Sequence, residues 1–483
     1  MIILILVLTY FAVLFAISRF TEHRGGGNDM FFRAGKRSPW YMVAFGMVGA
    51  SISGVTFVSV PGMVLTSQMT YLQVCMGFIL GYLAVAFVLL PVYYSLNLTS
   101  IYTFLGSRLG PRSYKTGAWF FLLSKMVGAA VKFYVVCIIL QQLVLDALGI
   151  PFVITVLAMV LLIWLYTHRG GVRTLVFTDS FQTLCLFTAL ILIIYLVVEQ
   201  MGLSLGEAIQ SVMADSRSRV FVFDDWMSPH CFWKQILSGA FIVIVMTGLD
   251  QDMMQKNLTC RTLREAQKDV CTYGMAFLPV NMLFMALGVL LAQLFESQGV
   301  ALPAQGDELL PMFVRGTANA QSSIFTVQAL FVLGIVAASF SSADSALTSL
   351  TTSYCVDIKQ RSGDERLRRR THIVICLLFV FFILSFHAVN NRSLIDAIYT
   401  IVSYTYGPLL GLFAFGLFTR RRVNDSLVPY ICIASPFICY AADTVAQALF
   451  NYHFGYELLL LNGLLTFIGI LLTSFHGKVA QRV

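Results

Sequence analysis

Charge is what this 483-residue chain has least of: 12% of its residues are Asp, Glu, Lys or Arg, about half of the roughly 25% that a soluble domain carries. That shortage excludes an ordinary soluble enzyme, a disordered protein and a nucleic-acid binder of the usual kind. The ten cysteines form no CxxC pair; nine lie in or beside apolar segments and only Cys231 falls in an expected outer loop. Neither a disulfide framework nor a zinc site is expected. There is no P-loop, no G-x-G-x-x-G and no low-complexity segment. The longest polar stretches, roughly residues 200–231 and 297–322, are too short to hold a soluble domain. The seven histidines (His23, His168, His230, His372, His387, His453 and His476) sit in loops or near the ends of apolar runs, which disfavours haem ligation and a mid-membrane histidine relay.

What is abundant is apolar surface: 58% of residues are hydrophobic and the mean hydropathy is +0.80. A bilayer core about 30 Å thick needs roughly 20 apolar residues in a helix. Thirteen such runs occur, at roughly 1–19, 39–62, 70–96, 115–147, 151–168, 176–199, 232–256, 268–296, 323–357, 371–388, 395–419, 427–450 and 457–475. No Lys or Arg precedes the first run, so it is read as a span and not as a leader. With the N-terminus placed outside, 25 of the 32 Lys and Arg residues fall in inner segments, five in outer ones (Arg217, Arg219, Lys234, Arg315 and Arg392), and Lys125 and Lys132 lie inside the fourth run. Cytoplasmic loops collect basic residues, so the net charge of +8 reads as topology and not as nucleic-acid affinity.

Two runs carry backbone-weakening or polar clusters. In lipid every backbone N–H and C=O must be paired, so a weakened helix there either lines a cavity or packs tightly through small residues. The second run reads Gly46-Met47-Val48-Gly49-Ala50-Ser51-Ile52-Ser53-Gly54-Val55-Thr56, with Pro61-Gly62 expected to end it. Composition leaves both readings open. The ninth holds Ala337-Ala338-Ser339-Phe340-Ser341-Ser342-Ala343-Asp344-Ser345, and spacings of three and four put Ser341, Asp344, Ser345 and Thr348 on one face. Hydroxyls with a carboxylate suit a hard cation such as Na+, and an ionisable residue at membrane depth points to function. The other intramembrane charges are Asp179, Asp250, Asp252, Lys125 and Lys132. Asp396, Asp443 and Lys125 lie near expected ends and would snorkel. A Lys132–Asp250 pair with no ligand role is an alternative for those two.

These clusters carry a family likeness. The chain resembles the sodium:solute symporter family of sodium/glucose, sodium/proline and sodium/sialic-acid cotransporters in five stretches taken in order. They are Phe31-Phe32-Arg33-Ala34-Gly35-Lys36, then Ser53-Gly54 with Pro61-Gly62, then Gly170-Gly171 with Thr178-Asp179 and Gln182, then Ser341-Ser342 with Val356-Asp357-Ile358, and last Gly407-Pro408 with Gly411 and Gly416 to Arg421. The resemblance implies an all-α integral membrane protein of about thirteen transmembrane helices with a LeuT-like fold. That fold is an inverted repeat of five and five helices with a broken helix at the start of each. The whole chain, 1–483, would form one transporter unit with repeats at about 39–199 and 232–419, and extra spans at 1–19, 427–450 and 457–475.

The same resemblance implies a main Na+ site from the carbonyls of Gly49, Ile52 and Ala338 and the hydroxyls of Ser341 and Ser342. A second Na+ or H+ site would involve Asp179, Asp344 and Ser345. For the solute it points to Ser53, Thr56, Gln73, Lys132, Asp250, Thr400 and Tyr404, with Lys132 meeting a carboxylate. The expected activity is Na+-coupled import of a small polar solute, with sugar or sugar acid ahead of monocarboxylate and amino acid. Na+ would be the coupling ion, and the solute and the lipid bilayer the other partners, with no nucleic acid. A monomer in the cell membrane is expected, with its N-terminus outside and its C-terminus cytoplasmic. The rival readings are an integral membrane enzyme and a Na+-independent channel or uniporter.

Overall fold

The computed structural model describes residues 2–21, 28–146, 149–226, 228–316, 324–389, 394–450, 452 and 454–475. Of the residues named above, Arg392, His23, His453 and His476 lie outside these ranges, as do the side chains of Asp396 and Thr400; of the cations counted to the inner segments, Arg24, Lys478 and Arg482 and the side chain of Arg169 do too. The described residues form helices joined by short turns, with only two isolated β-bridges, Ser38 to Cys260 and Arg422 to Phe475.

In chain order the long elements are α1 (Ile2–Thr21), α2 (Trp40–Ser51) and α3 (Gly54–Gly62), then α4 (Tyr71–Ser95), α5 (Pro111–Leu140), α6 (Phe152–His168) and α7 (Gly171–Gln200). There follow α8 (Phe232–Gly248), α9 (Gln251–Asn257) and α10 (Leu263–Ser297). The chain closes with α11 (Ile324–Ser353), α12 (Glu365–Val389), α13 (Leu394–Phe418), α14 (Val428–Phe450) and α15 (Leu458–Leu472). Their order follows the apolar runs. By length and composition, seven of the described helices can each cross a bilayer, and nine crossings result when each of two bent pairs counts as one. The shorter apolar helices are Ile5–Thr21, Phe152–His168 and Leu458–Leu472.

The bent pairs are the architectural feature that matters for function. The axis turns by 58° between α2 and the helix that follows, and by 70° between α8 and α9. Polar α11 runs through the middle of the bundle, which is why its hydroxyl-rich face is tolerated: Ser339, Ser341, Asp344, Ser345, Thr348 and Thr352 are all buried. Around it α4 packs on α8, α13 on α15, and α5 against both α11 and α13.

Three sequence expectations need correction. Pro61-Gly62 does not end the second span, because Met63 N–H bonds the Ser59 carbonyl and Ser67 N–H the Met63 carbonyl. The chain turns only at Gln68, where φ is 55°. The connection expected between 168 and 176 shrinks to a break at Gly171, with non-helical φ 53° and ψ −145°, that separates α6 from α7. Lys256, counted with the inner-loop cations, belongs to α9 and is buried; the bend before it returns residues 251–257 to the bundle. In the polar segment before α8, Arg217 bridges Asp215 and Glu296, each at 2.8 Å, and its hydrogen bonds hold the Asp215 carboxyl down at about 2.

The Gly171 backbone lies in a region that side-chain-bearing residues avoid, and a Cβ there would sit 2.6 Å from the Phe31 Cα. Gly171→Ala should destabilise the fold by about 1–3 kcal/mol. Gly206→Ala, where nothing lies within 4 Å, should leave stability nearly unchanged. Thermal unfolding of both variants in detergent checks the pair, and equal melting temperatures would contradict the assignment.

Candidate functional site

The first break follows from its residues. α2 stops at Ser51, and Ile52 (φ −89°, ψ 107°) and Ser53 (φ −91°, ψ 171°) are extended before α3 begins. A helix end leaves carbonyls without intrahelical donors. The Ile52 N–H turns back to the Val48 and Gly49 carbonyls, 3.2 Å from each. The Ala50 carbonyl is taken from outside: Ser342 Oγ donates to it at 3.2 Å and also reaches the Ala338 carbonyl, one turn back on α11, at 3.3 Å. The start of α3 is pressed against the same helix, since a Cβ on Gly54 would overlap the Ser339 hydroxyl and lie 3.1 Å from Ile335 Cγ1. The unwound stretch and the serine pair therefore adjoin. Ala50, which sequence reasoning did not single out, makes the direct contact; a helix register off by one residue conceals it.

The second break is built differently. Asp250 (φ −102°, ψ 118°) caps α9, its Oδ1 accepting from the N–H of Asp252 at 2.8 Å and of Met253 at 3.4 Å. The carbonyls left at the end of α8 are met by two buried tyrosines: Tyr93 donates to Gly248 O at 2.9 Å and Tyr102 to Leu249 O at 2.8 Å. Lys125 Nζ lies 3.1 Å from Asp250 Oδ2 and 2.7 Å from Asp252 Oδ2, and Tyr406 donates to Asp250 Oδ2 at 2.8 Å. Lys125 was expected to snorkel near a helix end, and Lys132 was the alternative partner for Asp250. The ion pairing falls to Lys125. Lys132, two turns further along α5, makes no ion pair or hydrogen bond among the described residues.

Between the breaks sits a second polar cluster. Ser341 Oγ donates to Asp179 Oδ1 at 2.7 Å, and Lys256 Nζ lies 2.7 Å from Asp179 Oδ2. Asp344 accepts from Tyr166 at Oδ2 at 2.7 Å and from Ser345 at Oδ1 at 3.4 Å. Tyr166 and Tyr406, both at the centre, carry no local sequence signal, because a buried tyrosine looks like ordinary core.

Two cavities open onto this region. One, about 700 Å³, is lined by Ser51, Ser53, Thr56, Tyr82, Lys132 and Thr247 among others. The other, about 550 Å³, takes in Ala50, Lys125, Lys132, Asp250, Ser342 and Tyr406. Lys132, Met246 and Met253 line both. Gln73 and Tyr404 are placed elsewhere. The Gln73 amide donates to the His230 carbonyl at 3.0 Å and accepts from Val222 N–H at 3.2 Å, pinning an outer loop. The Tyr404 ring faces Tyr440. Among the described residues no group of three or more His, Cys, Asp or Glu is placed to hold a metal.

Comparison with known proteins agrees with this architecture. The family model for the sodium:solute symporter family matches residues 31–426. The sodium/sialic acid symporter of Aliivibrio fischeri is 26% identical over 439 residues, covering 87% of this chain and 83% of the relative. That of Proteus mirabilis is 24% identical, covering 88% and 86%. A solved substrate-bound, outward-open structure of a Na+-coupled sialic acid symporter superposes with a TM-score of 0.83 at 20% identity, covering 100% of this chain and 99% of that one.

Removing Lys125 leaves two buried carboxylates facing each other, and breaking a buried pair costs about 3–5 kcal/mol. Lys125→Met should therefore unfold far more readily than the parent, and adding Asp252→Asn should recover part of the loss. Thermal unfolding of the single and double variants measures this; a single variant as stable as the parent would contradict the network.

Proposed function

This chain belongs to the sodium:solute symporter family, and we propose on that footing that it is a Na+-coupled importer of a small organic anion, a sugar acid before other carboxylates. The observation that carries the solute class is Lys132. Asp250 would repel an anion if left bare, but Lys125 and Tyr406 engage it. That leaves the Lys132 ammonium uncommitted at the wall shared by both cavities. An ammonium at the wall of a cavity inside a membrane protein calls for a partner, and a solute carboxylate supplies one. Ser51, Ser53 and Thr56 add hydroxyls for the rest of a polyhydroxylated solute. The relatives named for sialic acid transport favour the same class.

Na+ enters as cargo. Its proposed ligands are the carbonyls of Gly49, Ile52 and Ala338 and the hydroxyls of Ser341 and Ser342, with Ala50 O beside them. Neutral oxygens of this kind suit a monovalent ion that must later be released. The ion would tie the unwound stretch to α11 and favour the state that receives solute from outside. Solute binding would then occlude the cavity, and rocking of the bundle would open the inside. The potential supplies about 2.3 kcal/mol per charge per 100 mV, so no nucleotide is required. We place the chain in the cell membrane as a monomer with its N-terminus outside and its C-terminus cytoplasmic. The repeats would run over about 39–199 and 232–419.

Two outcomes follow. In a thermal-shift screen of sialic acid, neutral sugars, monocarboxylates and amino acids, a sugar acid should stabilise the protein, and more strongly in Na+ than in choline. Stabilisation by neutral sugars alone would contradict the anionic class, and Lys132→Ala should abolish the shift. Ser342→Ala should raise the Na+ concentration for half-maximal uptake roughly tenfold, the equivalent of about 1.4 kcal/mol; an unchanged Na+ dependence would remove Ser342 from the ion site.

A further inference from the structure

The cluster around Asp179 and Asp344 holds a cation of the protein's own. The α9 residue Lys256 is buried and sends its ammonium to within 2.7 Å of Asp179 on α7. Asp344, on α11, is within electrostatic reach of both Asp179 and Lys256. The remaining oxygens face donors as well. Ser341 donates to the other oxygen of Asp179, and Tyr166 and Ser345 donate to the two oxygens of Asp344. Asp252, the other acidic group near Lys256, is committed to Lys125.

A metal ion in this cluster would meet hydroxyl hydrogens already directed at the carboxylates. It would also meet an ammonium that has three donors and no lone pair to offer, and two positive charges within a few ångströms repel strongly in a buried site. The donor set thus fits a tethered amine and does not fit a second Na+. The sequence conceals this, because Lys256 stands 77 positions from Asp179 at the last residue of the seventh apolar run, where it counts with the inner-segment cations. Only the 70° bend at Asp250 carries it into the bundle.

We propose that Lys256 is a resident counter-cation whose ammonium, held against Asp179, takes the place that a second coupling ion would otherwise fill, so that this chain binds a single Na+. The inference rests on the Na+-coupled reading above and extends it to stoichiometry. The same amine links α9 to α7 and, through the Asp179–Ser341 hydrogen bond, to α11, and so couples the inner half of the second broken span to the helix that carries the proposed Na+ ligands.

The test counts bound Na+ directly, by equilibrium binding of radioactive sodium to the purified full-length protein in detergent. The parent should saturate at one Na+ per chain with a Hill coefficient near one. Lys256→Gln, which empties the place while keeping a polar side chain, should saturate at two, and Lys256→Arg should return to one. Two Na+ per chain in the parent overturns the proposal while leaving Na+ coupling standing. No bound Na+ in the parent overturns the coupled reading together with it. A count of one in a folded Lys256→Gln also overturns it. If that variant does not fold, the count in the parent alone decides.

Discussion

The structure turns on one contact between an unwound backbone and a helix hydroxyl: Ser342 Oγ of α11 against the Ala50 carbonyl where α2 gives out. A membrane helix is expensive to break, because each freed polar group must find a partner inside the protein. Here the sequence provides for it locally. Gly54 lets α3 begin directly against Ser339 and Ile335, and the serine pair supplies hydroxyls at the level of the break. The result is a set of backbone and hydroxyl oxygens held at the bundle centre without formal charge. In the proposed reading such a set would hold a monovalent cation and let it go again.

The buried charges divide the centre into regions with different tasks. Lys125 compensates Asp250 and Asp252, while Lys256 compensates Asp179 and lies near Asp344. Both arrangements serve a break in the chain: Asp250 caps α9, and Asp179 holds Ser341 of α11. Because these two lysines are spent on the scaffold, Lys132 stands apart as the amine available to something that enters. In the proposed reading, selectivity for an anion would follow from pairing elsewhere as much as from Lys132 itself.

Much of this was legible in the sequence, and the parts that were not share a cause. Hydropathy and basic-residue placement gave the order of apolar helices, because bilayer thickness and topology act on composition one residue at a time. The Gly/Ser run at 46–56 announced the first break, and the serine cluster on α11 announced its neighbour. What escaped was long-range pairing. Nothing near Lys125 shows that two aspartates at the start of α9 will reach it, and nothing near Lys256 shows that a bend will bury it. Tyr166 and Tyr406 looked like core, and Gln73 looked like a site residue although its amide secures an outer loop. Gly171 shows the converse: read as part of a loop, it is a single glycine whose non-helical backbone angles break the chain between α6 and α7 with almost no connecting segment.

The account stands on Na+ joining the unwound stretch to α11, and amide hydrogen exchange reads that junction without transport. With Na+ in place of choline, exchange in residues 49–54 and in residues 338–342 should slow together, over the same range of ion concentration. Exchange unaltered by Na+, or slowed in only one of the two segments, would contradict it.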